Sequence, residues 1–256
     1  MDGGDLMLKL KAQAERFGAR VRYLSLVEKV DLSKRPFELT VDGDPMTCKA
    51  LIVATGAGPQ RLNVPGESDL ESRGITFCAI CDGALPFFRN KPLVVVGGGD
   101  SACEEALYLT RFGSVVNLVH RRDQLRASKV TVDHVLSNPK IKVTWNAIVL
   151  EVLGKEKGFV SGLRLKDTKT GAESILEASG LFVAIGHIPN TKLFKGQLDM
   201  DDVGFLKLHD GSKTNIEGVF GAGDCADRVY RQAITAAGMG CAAAIDAERY
   251  LAAEGV

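Results

Sequence analysis

The spacing of hydrophobic residues changes several times along the chain, and each spacing predicts an element. Leu6, Leu10 and Phe17 fall at helical spacing, which predicts a helix over residues 5–17 that Gly18 ends. Helical patterns also cover residues 101–112 and 231–251. Apolar runs and alternating stretches predict strands over residues 20–26, 37–41, 92–96, 115–120, 141–145, 147–153, 159–166, 173–177, 181–185 and 218–222, with a further buried strand that enters a glycine turn within residues 48–57.

Residues 92–120 form a connected pattern of strand, glycine turn, helix and strand. The first strand is apolar throughout, as expected for a strand that is covered on both faces of a parallel sheet. This order is typical of the βαβ half of a dinucleotide-binding fold, and it predicts an α/β protein.

The turn in this unit fits the pattern G-x-G-x-x-A. Gly97 permits a tight turn, Gly99 lets the backbone approach a pyrophosphate, and Ala102 keeps the helix close to the sheet. Asp100 and Ser101 lie where the helix N-terminus presents unpaired N–H groups to phosphates. The alternative is an ordinary flexible turn, because a glycine pattern alone is common.

Basic residues follow the second strand, at the position that contacts the adenosine ribose. NAD-binding proteins carry an acidic residue there, whereas this chain has His120, Arg121 and Arg122, with Arg126 one turn further on. Cations suit a 2′-phosphate, so the sequence favours NADP over NAD. A solvated basic surface cluster is the alternative interpretation.

Cys78 and Cys81 form a C-x-x-C pair, whose spacing allows an intramolecular disulfide and a lowered thiol pKa. The pair could also be half of a zinc site, but a second C-x-x-C or a histidine pair is missing, so we expect no metal. Asp82 follows directly, where it can relay a proton or simply begin a turn before Gly83.

Composition and charge narrow the function classes. Lys plus Arg and Asp plus Glu each number 32, which gives no argument for nucleic-acid or membrane partners, and the apolar runs are too short to span a bilayer. The cysteine density does not indicate a disulfide-stapled secreted domain, so a reducing compartment is expected. Free cysteines are often buried, and we expect this of Cys48, Cys103, Cys225 and Cys241.

Six motifs in this order resemble those of the low-molecular-weight, NADPH-dependent thioredoxin reductases of plants, algae and bacteria. They are Cys78–Gly83, Gly97–Ala102, His120–Asp123, Gly186–Asn190, Gly221–Asp224 and Arg231–Ala237. The Cys-Ala-Ile-Cys variant and residues 121–129 are most similar to the plastid reductases that carry a fused thioredoxin.

The resemblance implies two Rossmann-like, three-layer ββα domains of the two-dinucleotide-binding flavoprotein type. An NADPH domain with the redox pair, residues 61–186, would be inserted in an FAD domain formed by residues 1–60 and 187–256. The implied cofactor contacts are Thr55, Gly56 and Ala57 near the flavin nucleotide, Gly186 at the connection, Gly223 and Asp224 at the ribityl or phosphate region, and Arg231, Gln232 and Ala233 against the isoalloxazine ring.

The family opens with a strand and a G-x-G-x-x-G/A turn that holds the FAD pyrophosphate. This sequence begins after that unit, so we expect an N-terminally incomplete FAD domain.

The implied activity is electron transfer from NADPH through FAD and the dithiol to thioredoxin, with thioredoxin as a separate or fused domain. The resemblance implies domain rotation, a homodimer, and the plastid stroma or cytoplasm as the compartment. Two alternatives fit part of the pattern: a flavin-poor nucleotide-binding fragment, and a reductase of another disulfide carrier such as a peroxiredoxin system.

Overall fold

The chain, described over residues 2–255 in a computed structural model, folds into two compact units. One unit combines Met1–Ala57 with Pro189–Val256, and the other is the continuous segment Gly58–Ile188. The sequence predicts the divisions at 60/61 and 186/187, and the structure has them at 57/58 and 188/189.

The described residues form five α-helices and fifteen β-strands. The helices are α1 (Gly3–Arg16), α2 (Ala79–Asp82), α3 (Asp100–Leu109), α4 (Lys129–Ser137) and α5 (Ala233–Ala253). The strands are β1 (Val27–Asp31), β2 (Phe37–Val41), β3 (Asp44–Cys48), β4 (Leu51–Val53), β5 (Ala57–Pro59), β6 (Ile75–Thr76), β7 (Pro92–Gly97), β8 (Val115–Val119), β9 (Ile141–Thr144), β10 (Ala147–Leu153), β11 (Gly162–Asp167), β12 (Glu173–Glu177), β13 (Gly180–Ala184), β14 (His187–Pro189) and β15 (Val219–Gly221).

The unit Gly58–Ile188 has three layers built on a parallel sheet of order β6-β13-β7-β8-β9. In β7, Leu93 and Val95 pack toward a cluster that includes residues of α3 and α4. Val94 and Val96 pack in a second cluster with residues of the antiparallel sheet β10-β11-β12. Both faces of β7 are therefore covered, which explains its unbroken apolar sequence, and each such side chain contributes roughly 1.5–3 kcal/mol by burial.

The other unit contains an antiparallel sheet, β1-β2-β3, and a parallel pair, β4 with β15. Phe37 of β2, Val53 of β4 and Val219 of β15 share one buried cluster. A second cluster joins Phe220 to Ala243 of α5. The strand β4 thus ends beside the turn that follows β15, and this junction carries the candidate residues of this unit.

The structure confirms the α/β fold class and most of the predicted elements, but it corrects the strand expected over residues 20–26. That segment forms no strand, and Leu24 adopts the left-handed region at φ 54° with its side chain exposed. Extended pairing requires φ near −120°, so the strand begins later, at Val27.

The last helix also begins later than its sequence pattern predicts. Arg231 has φ 47°, which is incompatible with a right-handed helix, and Gln232 is the N-cap. The helix therefore covers Ala233–Ala253. The elements not predicted from the sequence are the helices α2 and α4 and the strands β1, β3, β5, β6 and β14.

Candidate functional site

The redox pair lies at the N-terminal end of the short helix α2. Cys78 is its N-cap and forms a disulfide with Cys81, with 5.3 Å between the Cα atoms. The backbone N–H of Cys81 donates to Cys78 Sγ at 3.2 Å. Cys78 is half-buried and Cys81 is exposed, so the second cysteine of the pair is the more accessible residue.

Asp82 is linked to this pair through Thr76, a residue that sequence reasoning missed. The buried hydroxyl of Thr76 donates to Asp82 Oδ2 and accepts the backbone N–H of Cys78 at 3.2 Å. One side chain thus fixes both the carboxylate and the backbone at the first cysteine. A lone threonine two residues before the pair gives no sequence signal for this role.

Helix α2 packs on α3, the helix that follows the glycine turn. Ala79 belongs to the same buried cluster as Ala102, Cys103 and Ala106, and a Cβ on Gly83 would overlap Leu109. The redox pair and the glycine turn therefore lie on elements that pack against each other in the same unit. Among residues 2–255, no three His, Cys, Asp or Glu side chains are grouped so that they could hold a metal ion.

The glycine turn has the close packing that its pattern predicts. A Cβ on Gly97 would overlap both the Ala184 carbonyl and the Ala102 side chain. Gly99 is the N-cap of α3 and has open space where a Cβ would point. Asp100 accepts the backbone N–H of Ser128 at 2.8 Å, so its carboxylate joins the turn to the segment after the basic residues.

The basic segment separates into one buried and three exposed side chains. His120 is 4% exposed, whereas Arg121, Arg122 and Arg126 are exposed. Within the described chain, these three guanidinium groups have no ion-pair or hydrogen-bond partner. They are therefore available to an anionic ligand. The acidic residue of this segment, Asp123, instead pairs with Lys169 at 3.0 Å.

In the other unit, candidate residues gather where β4 and β15 end. The carbonyl of Thr55 accepts Asn190 Nδ2 at 3.0 Å, and the carbonyl of Gly56 accepts the Asn190 backbone N–H at 2.9 Å. Asn190 ends a motif noted in the sequence, but its link to residues 55–56 depends on tertiary structure. Gly223 has φ 71°, a left-handed conformation that favours glycine at this turn.

Asp227, also missed from the sequence, organises the segment before α5. Its carboxylate accepts the backbone N–H groups of Val229, Tyr230 and Arg231 at 2.8–2.9 Å, and the Thr235 hydroxyl at 3.2 Å. Burial acts to raise the pKa of Asp227, but these hydrogen bonds outweigh it and hold the pKa below its usual value.

The cysteines outside the pair differ in burial. Cys103 and Cys225 are buried as expected, and Cys48 is half-buried. Burial, together with Asp100 and Glu104, raises the pKa of the Cys103 thiol to about 11, which makes it a poor nucleophile at neutral pH. Cys241 is exposed on α5, so the expectation that it is buried is wrong.

The chain matches the family described as "Pyridine nucleotide-disulphide oxidoreductase" over residues 4–240. A disulfide beside a dinucleotide-type turn agrees with the chemistry in that description. The fold and the site therefore define a flavin-dependent disulfide oxidoreductase that uses a pyridine nucleotide.

Similar proteins of known identity indicate which family within this class the chain belongs to. A thioredoxin reductase from Penicillium chrysogenum is 48% identical over an alignment of 260 residues. The alignment covers 98% of this chain and 78% of the relative. A thioredoxin reductase from Neurospora crassa is 51% identical over 253 residues, and the match covers 97% of this chain and 75% of that relative. The structure of thioredoxin reductase from Giardia duodenalis matches with a TM-score of 0.87 and 42% identity, over 98% of this chain and 82% of that one. The chain belongs to the thioredoxin reductase family.

Members of this family use FAD and NADPH, and the residues present fit both groups. Asp224 has a buried oxygen, Oδ1, with no hydrogen-bond partner among residues 2–255, which a ligand hydroxyl would satisfy. For the pyridine nucleotide, the space beside Gly99 is open. The guanidinium groups of Arg121, Arg122 and Arg126 have no hydrogen-bond or ion-pair partner among residues 2–255. No helix within the described range is long and apolar enough to cross a membrane.

Proposed function

We propose that Cys78 and Cys81 are the redox centre through which this thioredoxin reductase passes two electrons from NADPH to a thioredoxin disulfide. The observation that carries the proposal is the disulfide between them at α2, where Cys81 is exposed. Thioredoxin, as a separate or fused domain, is the proposed acceptor.

The proposed reaction has two parts: reduction of the Cys78–Cys81 disulfide, and thiol–disulfide exchange with thioredoxin. FAD, when bound, supplies the two-electron step that links NADPH oxidation to cleavage of the Cys78–Cys81 bond. The resulting thiolate attacks the disulfide of thioredoxin and forms a mixed disulfide. The second thiol then attacks that bond, re-forms Cys78–Cys81, and releases thioredoxin with both thiols reduced. Overall, NADPH and one proton are consumed, and Asp82 carries a proton to or from the cysteine sulfurs.

NADPH is assigned to the glycine turn and the basic segment. Gly99 leaves room for the pyrophosphate, while Gly97 and Ala102 pack closely together and set the turn. Asp100 and Ser101 begin the helix whose N-terminus faces the pyrophosphate. The exposed groups of Arg121, Arg122 and Arg126 bind the 2′-phosphate.

FAD is assigned to the other unit. Thr55, Gly56 and Ala57 line the nucleotide, Gly223 and Asp224 contact the ribityl or phosphate region, and Arg231, Gln232 and Ala233 lie against the ring system. Support comes from the unpartnered Asp224 oxygen and from the carboxylate of Asp227, which fixes the backbone leading to Arg231. Gly186, with φ 113°, lies at the connection between the units.

We propose a homodimer in the plastid stroma or the cytoplasm. Light scattering on purified protein gives the oligomeric state directly, and a monomer would reject the dimer. Microscopy of the tagged gene product distinguishes the compartments.

Cys81→Ser tests the redox centre. The variant cannot close the disulfide, so we expect thioredoxin reduction to fall to background while NADPH still bleaches the flavin absorbance. Cys241→Ser, which removes an exposed thiol elsewhere, is the matched control and should keep full activity. Thioredoxin turnover that persists in Cys81→Ser would reject the role of the pair.

A further inference from the structure

His120 directly precedes two of the three arginines assigned to the 2′-phosphate, yet its environment is different from theirs. The side chain is 4% exposed, and both ring nitrogens are occupied by the protein backbone. Nδ1 lies 2.9 Å from the carbonyl oxygen of Gly97, and Nε2 lies 2.9 Å from that of Gln124. The ring therefore has no free polar atom with which to bind a nucleotide.

The two partners place the ring between two segments. Gly97 belongs to the glycine turn, and Gln124 lies within the arginine segment, residues 121–126. A backbone carbonyl only accepts hydrogen bonds and an imidazole ring carries at least one N–H, so the ring donates to at least one of these two carbonyls.

Gly98 gives an independent sign that the ring and the turn are fitted to each other. A Cβ on Gly98 would overlap the His120 ring. The ring occupies the space that a side chain at position 98 would need, so this position requires glycine. This requirement is separate from any contact with a nucleotide. The backbone N–H of Arg126 donates to the Gly98 carbonyl at 2.6 Å, which adds a second link between the same two segments.

These contacts attach the arginine segment to the glycine turn. Since the guanidinium groups of Arg121, Arg122 and Arg126 have no hydrogen-bond or ion-pair partner within residues 2–255, their positions depend on the backbone that carries them. The contacts of His120 with Gly97 and Gln124 help to hold that backbone, together with the backbone bonds from Arg126 to Gly98 and from Asn146 to Arg122.

We propose that His120 is a positioning residue that holds the arginine segment over the glycine turn and so sets the preference for a 2′-phosphate. This role rests on the proposed NADPH site, but it assigns His120 no contact with the nucleotide. The preference therefore depends on a buried residue as well as on the exposed cations.

Binding of 2′,5′-ADP and of 5′-AMP by calorimetry tests the proposal without flavin or turnover. For His120→Leu we expect roughly tenfold weaker binding of 2′,5′-ADP, as loss of one or two hydrogen bonds predicts. Binding of 5′-AMP should stay unchanged, which also shows that the turn is folded. In enzyme assays, KM for NADPH should rise with little change in kcat.

Two variants make the comparison specific. The amide of His120→Asn can replace the Nδ1 donor to Gly97, so it should keep 2′,5′-ADP affinity within about threefold. His134→Leu removes an exposed histidine from α4 and should have no effect. Equal affinity of His120→Leu and the parent chain for 2′,5′-ADP would overturn the positioning role.

If the parent chain binds 2′,5′-ADP no better than 5′-AMP, the NADPH site itself fails, which is a different result from an unaffected His120→Leu.

Discussion

Single hydroxyl and carboxylate groups connect the redox pair to its surroundings. The hydroxyl of Thr76 is buried, and it both donates to Asp82 and accepts the N–H of Cys78. Because a hydroxyl can do both at once, it holds the carboxylate in a fixed relation to the first cysteine. A carboxylate without this donor would turn toward solvent, away from the sulfurs.

Thr76→Val tests this arrangement, since valine keeps the shape but not the hydroxyl. We expect thioredoxin reduction to slow roughly tenfold, because a hydrogen bond to a charged group is lost. Flavin reduction by NADPH should be unchanged. Thr76→Ser restores the hydroxyl and should recover most of the rate, measured by steady-state turnover with thioredoxin. Equal rates for the valine variant and the parent chain would contradict the role.

At the scale of elements, the start of α5 depends on the turn before it. Asp227 accepts three successive backbone N–H groups and the hydroxyl of Thr235, which lies in the first turn of the helix. These bonds maintain the left-handed Arg231 and thereby fix where the helix begins. The proposed flavin contacts at 231–233 are thus set by one carboxylate.

Asp227→Asn should destabilise the protein by roughly 1–3 kcal/mol, because its amide NH₂ would face an N–H that the carboxylate accepts. The folded-state pKa of Asp227 is lowered, so its contribution is present above the ordinary aspartate value and is lost as pH falls through the lowered pKa.

Urea unfolding between about pH 3 and pH 7 measures both effects. The parent chain should lose more stability on acidification than Asp227→Asn does. Asp202→Asn, an exposed carboxylate paired with Arg228, is the control and should change stability little. Parallel pH curves for the Asp227 variant and the parent chain would refute the prediction.

At the scale of the whole molecule, the unit Gly58–Ile188 is one uninterrupted stretch of chain with two buried clusters of its own. One cluster lies between the parallel sheet and the antiparallel sheet, and the other lies between the parallel sheet and the helices. The redox pair, the glycine turn and the arginine segment all lie within this unit.

We therefore expect residues 58–188, expressed alone, to unfold cooperatively on heating and to bind 2′,5′-ADP about as tightly as the whole chain does. A continuous segment with a complete core needs no contribution from the remainder of the chain to fold. Circular dichroism melting and calorimetry provide the measurements. A non-cooperative melt would show that the unit depends on the flanking segments.

The sequence by itself determined the elements whose signals are local. The apolar run of β7, the glycine pattern after it and the basic residues after β8 are all readable because strand, turn and charge depend on neighbouring residues. The C-x-x-C spacing likewise predicts a disulfide that the structure contains.

Tertiary structure alone decided which polar groups meet across the chain. Asn190 binds the carbonyls at 55–56, Asp227 sets the start of α5, and His120 packs against Gly98. Only tertiary structure shows that residues 20–26 form no strand. These outcomes depend on partners that the fold brings close, or fails to provide, and no local pattern of side chains encodes that proximity.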